Sequence, residues 1–185
     1  VMTCLGLLLA FWIAAGTLEN LRGRLSGPTR GGVRALPAGY WGMLTAHLGM
    51  AVFVFGVTMV KSYESERDVT LSAGESAELG GYTFHLERVG ELKGPNYIAA
   101  RGIVRVTHGE RQVATLAPEK RLYRASGQPM TEAAIDTGIS RDLYVSLGEP
   151  VSPTAWSLRL QVKPFIDWIW GGCIVMGLGG LVADR

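Results

Sequence analysis

Hydrophobic and polar positions divide the chain into two regimes. Three stretches contain no Asp, Glu, Lys or Arg: Val1–Leu18, Ala35–Val60 and Trp168–Ala183. A bilayer core is crossed by about 20 mostly apolar residues in a helix. The second stretch meets this requirement from just after Pro37, running AGYWGMLTAHLGMAVFVFGVTMV. The third meets it with Asp167 at the interface beside Trp168 and Trp170, where an aromatic belt sits. The first is the shortest. It opens apolar at Val1, without the charged leader and small-residue cleavage site of a signal peptide. It reads as a transmembrane helix cut open, and the chain as the tail of a longer membrane protein. The predicted spans are 1–18, 38–60 and 164–183. Residues 19–37 form a connecting loop holding Arg22, Arg24, Arg30 and Arg34, with no acid after Glu19. Short basic loops stay in the cytoplasm. Residues 61–163 are therefore expected on the far side, the periplasm if the cell is bacterial.

Within 61–163 the segments are short and separated by turn residues. Tyr82, Phe84 and Leu86 alternate with Thr83, His85 and Glu87, and Trp156, Leu158 and Leu160 alternate with Ser157, Arg159 and Gln161. That period belongs to half-buried strands. Gly94-Pro95-Asn96 and His108-Gly109 carry turn chemistry. TEAAIDTGI reads as a loop or brief strand. The predicted fold is a set of α-helical transmembrane spans with an inserted all-β periplasmic domain, an antiparallel sandwich or barrel of six to nine strands.

Composition sharpens this picture. The chain has 185 residues, 48% hydrophobic and 18% charged, against about 25% charge in an ordinary soluble domain. A net charge of +2 is too small and scattered for a nucleic-acid surface. Cys4 and Cys173 lie in apolar runs at opposite ends, which excludes a disulfide scaffold. No Gly-X-Ser-X-Gly, His-Glu-X-X-His, Cys-X-X-Cys or dinucleotide-binding glycine fingerprint occurs, so a free-standing hydrolase or redox enzyme has little support.

Of the three histidines, His85 sits on the polar face of a strand and His108 in a turn. His47 falls near the middle of the second span, about 14 Å along the helix from Ala38 at the ordinary helical rise. An ionisable ring at that depth costs several kcal/mol without a partner, and the three spans offer no charged residue at comparable depth. Gly42, Gly49 and Gly56 recur every seven residues, a smooth stripe for close packing of another helix. His47 lies roughly 200° around from Gly49, with Met43, Leu44, Met50, Ala51 and Val54. Two readings stand at this point. The ring is an axial ligand for haem iron, or it is hydrogen-bonded to a Ser, Thr or carbonyl of a neighbouring helix.

Longer blocks add a family likeness. GYWGMLTAHLGMAVFVFGVT, YESERDVTLSAGES, GYTFHLERVGELKGPNYIA, PEKRLY, PMTEAAIDTGISRDLYVSLGEP and KPFIDWIWGGCIVMGLGGL resemble the C-terminal part of the CcmF family. These are haem lyases of System I cytochrome c maturation. The resemblance runs from Gly39 onward. It implies a multi-span protein of the bacterial inner membrane that takes haem from a periplasmic haem chaperone, CcmE. The haem, handled transiently as substrate, is attached to Cys-X-X-Cys-His of apocytochrome c, with CcmH as the thiol-handling partner. It also implies a membrane-embedded b-type haem, with His47 as one of its two axial ligands. The tryptophan-rich WWD segment, the periplasmic haem-handling histidines and the other membrane ligand have no counterpart in this chain. The catalytic haem-handling site is thus expected in an upstream part of the same lyase.

In the β-domain, Glu119, Lys120, Arg121, Glu132, Asp136, Arg141 and Asp142 gather charge among apolar residues. They read either as a docking surface or as ion pairs and turn caps worth about 0–1 kcal/mol each where exposed. Asp167 reads as a cap of the third span or a partner of Lys163. The alternative function is a non-enzymatic, membrane-anchored β-domain scaffold that recruits partner proteins.

Overall fold

The structure, a computed structural model, describes residues 1–26 and 36–184. Arg30 and Arg34 of the basic loop lie outside the described residues. The chain forms two compact units, one of residues 1–63 and 164–185 and one of residues 64–163.

The first unit contains three helices, α1 (Met2–Ser26), α2 (Ala38–Tyr63) and α3 (Ile166–Ala183). Each is long and apolar enough to cross a membrane. α1 extends past the charge-free stretch that ends at Leu18, so Arg22 and Arg24 sit on its last turns and not in a loop. Leu, Arg and Glu are good helix formers in any solvent, so the helix outlasts the apolar pattern. Pro37 opens α2: its carbonyl accepts from the N–H groups of Tyr40 (3.0 Å) and Trp41 (3.4 Å). The residue that caps α3 is Phe165, in a left-handed conformation without a side-chain bond, and Asp167 lies within the first turn. Asp167 is thus no cap, although its charge suits the positive end of the helix dipole.

Glycines set the α2–α3 contact. A Cβ on Gly42 would meet the backbone of Ala183 and Gly179, one on Gly49 that of Met176 and Gly172, and one on Gly56 that of Ile169. α3 answers with its own pair: Gly172 lies against Phe53 and Gly179 against Ala46. The helices run antiparallel with glycine facing backbone on both sides, as close crossings require. α1 runs antiparallel to α2 on another side. Thr3 and Ser62 share a hydroxyl hydrogen bond of 2.8 Å, and Tyr40 donates to Asn20 Oδ1 at 2.8 Å. Gly6 lies under Thr58.

The second unit is an antiparallel β-sandwich. Its strands are β1 (Ser65–Ser72), β2 (Ser76–Leu79), β3 (Tyr82–Lys93), β4 (Tyr97–His108), β5 (Arg111–Leu116), β6 (Glu119–Tyr123), β7 (Pro129–Glu132), β8 (Ala134–Asp136), β9 (Arg141–Pro150) and β10 (Ala155–Pro164). One sheet has the order β1-β10-β9-β8, the other β2-β3-β4-β6-β7 with β5 also paired to β4. Ten strands exceed the expected six to nine, because TEAAID divides into the ends of two short strands. β5 and β6 share one edge of the long β4, pairing with Val104–His108 and Tyr97–Arg101 respectively. Pro118 breaks them, having no N–H to give a ladder, while its carbonyl accepts from Gly102 N at 2.9 Å. The β2–β3 hairpin turns through Gly80 and Gly81, both at positive φ, as a two-residue primed turn demands.

The core lies between the sheets. Phe84, Leu86, Val104, Val106 and Leu116 come from one, Leu143, Val145, Leu147, Leu158 and Leu160 from the other. The alternation read at Phe84/Leu86 and Leu158/Leu160 therefore faces inward as expected. After Leu86 a bulge shifts the inward face from even to odd positions, which brings Val89 against the core.

Candidate functional site

His47 is exposed on α2. Its Nδ1 lies 2.9 Å from the carbonyl oxygen of Met43, one turn earlier on the same helix. A carbonyl only accepts, so this bond places the ring hydrogen on Nδ1 and leaves the Nε2 lone pair as the outward acceptor. No partner for Nε2 occurs among the described residues, so no neighbouring helix here supplies the Ser, Thr or carbonyl of the second reading. The face expected around His47 divides: Met43, His47 and Met50 are exposed, whereas Leu44 and Ala51 are buried.

The ring opens on a groove between α1 and α2. Its walls are Trp12, Ile13, Gly16, Thr17, Asn20, Met43 and His47, around a cavity of about 260 Å³. A Cβ on Gly16 would meet nothing within 4 Å, so this part of the groove is open to a flat neighbour. Thr17 satisfies its hydroxyl on the carbonyl of Ile13 at 2.7 Å. The groove is thus apolar at its centre, with one unused imidazole nitrogen. Metal-bound histidines ordinarily give their other N–H to a carbonyl or carboxylate, so these residues fit a haem ligated through Nε2. Asn20, Tyr40 and the groove wall on α1 were not legible as site residues, because which helices pair is a non-local fact.

The charged residues singled out in the β-domain are knitted together. Glu119 on β6 is 4% exposed. It accepts from Arg101 Nε on one oxygen and from Arg121 Nε (2.8 Å) on the other. Burial pushes its carboxyl up, but the hydrogen bonds from Arg121 and Arg101 outweigh this and hold it below the ordinary value. Arg121 also reaches Glu132 at 3.2 Å and stacks over the Tyr97 ring at 4.6 Å. Lys120 pairs with Glu149 at 2.7 Å, beside a cleft of about 480 Å³ that Val89, Ile98, Leu122 and Trp156 help to line. Arg141 binds Asp136 and lies over the Tyr82 ring. Asp142 is buried and accepts from the Gly138 N–H at 3.1 Å. His85 takes a 2.9 Å bond with Ser76, and the His108 ring lies tilted against that of Tyr82. Among the described residues no cluster of His, Cys, Asp and Glu could hold a metal ion.

Comparison with known proteins adds to this. The family described as CcmF C-terminal beta-sandwich matches residues 62–164, more than half of the chain. The chain belongs to the CcmF family. Its relatives include the cytochrome c-type biogenesis protein CcmF of Pseudomonas aeruginosa, 45% identical over 95% of this chain. CcmF of Escherichia coli strain K12 is 42% identical over 98% of it. The chain spans only 27% of the length of each. A solved structure titled Cytochrome c Heme Lyase CcmF matches 95% of this chain and 29% of its own, with TM-score 0.75 and 22% identity, and so shares the fold. The matched CcmF sandwich coincides with the β-unit, and the groove at His47 lies outside it.

Proposed function

We propose that this chain works as part of a membrane haem lyase of cytochrome c maturation and that His47 supplies one axial ligand of a membrane b-type haem. The observation that carries the reading is the His47 ring itself. It lies at mid-helix on a span-length apolar element, bonded through Nδ1 to the Met43 carbonyl with Nε2 turned outward. A neutral nitrogen acceptor in hydrocarbon is costly unless satisfied, and an iron would satisfy it. The alignments to relatives that handle cytochrome c biogenesis cover nearly the whole chain, and so run through α2.

When bound, the haem supplies one-electron chemistry at a potential set by its ligands and surroundings. On the protein side, the Met43 carbonyl fixes the tautomer, the α3 backbone packs on the glycines of α2, and Trp12, Ile13 and Met43 give the groove apolar walls. The ligation of haem to apocytochrome c is assigned to the longer lyase, since this chain carries none of the motifs that would perform it. The same lyase would receive haem from the periplasmic chaperone CcmE and work with the thiol-handling CcmH.

Arg22 and Arg24 close α1 at the end where it meets the start of α2. The positive-inside rule puts that end in the cytoplasm and the β-sandwich in the periplasm of a bacterial inner membrane. The sandwich then serves as a scaffold for partners. The scaffold function of Glu119 and Asp142 is internal, since both are buried.

The test is His47→Ala in the full-length protein. Loss of the b-haem Soret absorbance with normal membrane insertion is expected, and unchanged haem content would overturn the ligand assignment. His47→Gln, which keeps a polar side chain at that depth, separates ligand loss from a failure of insertion.

A further inference from the structure

The groove beside His47 is not symmetric along its length. On α1 its stripe runs Ile13, Thr17, Asn20 and then Arg24, and on α2 it runs His47, Met43, Tyr40, each step three or four residues and so one face of a helix. The two stripes converge at one polar end. Tyr40 OH donates to Asn20 Oδ1 at 2.8 Å, and the Arg24 guanidinium lies over the Tyr40 ring, 4.9 Å from its centroid. With its oxygen used, Asn20 presents its amide hydrogens as donors. The contact sets the guanidinium carbon over the ring as a cation–π pair and keeps its charge at this end of the groove.

Distance decides which end matters. Tyr40 lies seven residues from His47, about 10 Å along the helix. The next polar groups in the other direction, Thr58, Lys61 and Ser62, begin about 16 Å away. The first span matches the reach from the central iron of a porphyrin to the carboxylates on its propionate arms, and the second exceeds it. Carboxylates are costly in hydrocarbon and stable beside a guanidinium at the membrane edge.

We infer that a haem held by His47 lies in this groove with its propionate carboxylates toward Asn20, Tyr40 and Arg24, and that Arg24 is a positioning residue whose charge tunes the iron. This rests on the proposed ligation by His47. A cation beside the propionates opposes the extra positive charge of ferric iron. Removing it therefore favours the oxidised state and moves the midpoint potential to more negative values.

The experiment is a redox titration of the b-haem, followed at its Soret band, in the full-length protein with Arg24→Gln, Arg24→Lys and Arg22→Gln. Arg22 lies about 200° around α1 from Arg24 and controls for general surface charge. Retained haem with a lowered potential in Arg24→Gln, and values near the parent in the other two, is the expected result. An unchanged potential in Arg24→Gln overturns the inference, as does an equal shift from Arg22→Gln. A loss of haem in Arg24→Gln that Arg24→Lys does not repair overturns it too. Haem retained in His47→Ala would instead refute the ligation on which it rests, and the two failures are separate measurements.

Discussion

Gly49→Ala tests how α2 is held. A Cβ added there would lie 2.7 Å from the backbone nitrogen of Met176 and 2.9 Å from the carbonyl oxygen of Gly172. Both neighbours are backbone and cannot rotate aside, so α3 must retreat to restore ordinary contact. Overpacking of this kind costs about 1–3 kcal/mol, and here the retreat also loosens the contacts at Gly42 and Gly56. The control is Gly177→Ala on α3, whose Cβ would meet nothing within 4 Å. It should be neutral or stabilising by up to about 1 kcal/mol, since alanine is the better helix former. A Cβ added to Gly172 would lie 2.8 Å from the carbonyl oxygen of Gly49, so one retreat relieves both sites, and Gly49→Ala with Gly172→Ala should cost less than the sum of the two. The assay is denaturant unfolding of the full-length protein in mild detergent, followed by helical circular dichroism. Equal stability of Gly49→Ala and Gly177→Ala would refute the close-crossing account, as would strict additivity of the double variant.

The β-sandwich gives two further expectations. Leu158→Ala removes a side chain with no exposed surface from between the sheets and should cost about 2–5 kcal/mol by denaturant unfolding. Glu119→Gln removes the negative charge and one of the two acceptor oxygens that Arg101 and Arg121 use. The cost should be about 1–3 kcal/mol at neutral pH, toward the lower end because the Arg101 side chain is 44% exposed and regains water. The native Glu119 carboxyl is held below its ordinary value. Its contribution is therefore full above the unfolded carboxylate range, about pH 4.3, and is lost as pH falls through the depressed native value. The gap between parent and Glu119→Gln should close on acidification. A constant gap would show that the charge is not what stabilises.

The elements that sequence reasoning found are those whose cause is local. Missing charge marks α1, α2 and α3, and alternation marks β3 and β10, because each pattern reports directly on the solvent around successive residues. Where neighbours far along the chain decide, the pattern misleads. Gln161 belongs to the polar face of β10 by alternation, yet it is nearly buried and donates to Glu66 at 2.7 Å. Glu119, Lys120 and Arg121 read equally well as a solvated surface. Only the pairing of β6 with the first half of β4, which sets Glu119 opposite Arg101, makes that carboxylate the buried centre of a cluster. In the groove, His47 was conspicuous by its depth, but Asn20 and Arg24 acquire meaning only once α1 is known to lie antiparallel to α2.

The glycine stripe and the histidine of α2 are two consequences of one helical period. Gly42, Gly49 and Gly56 are spaced so that all three meet the α3 backbone, and a rotation of α2 by one residue, roughly 100°, would replace them with side chains too large for that crossing. The contact therefore fixes the azimuth of α2 more tightly than apolar packing against lipid could. His47, roughly 200° away on the same rigid helix, inherits that direction. Its imidazole is aimed by packing on the opposite side and then locked in tautomer by the Met43 carbonyl. The ligand role proposed for His47 calls for an atom held to a fraction of an ångström, and the centre of a long helix is the part that neither fraying nor loop motion reaches.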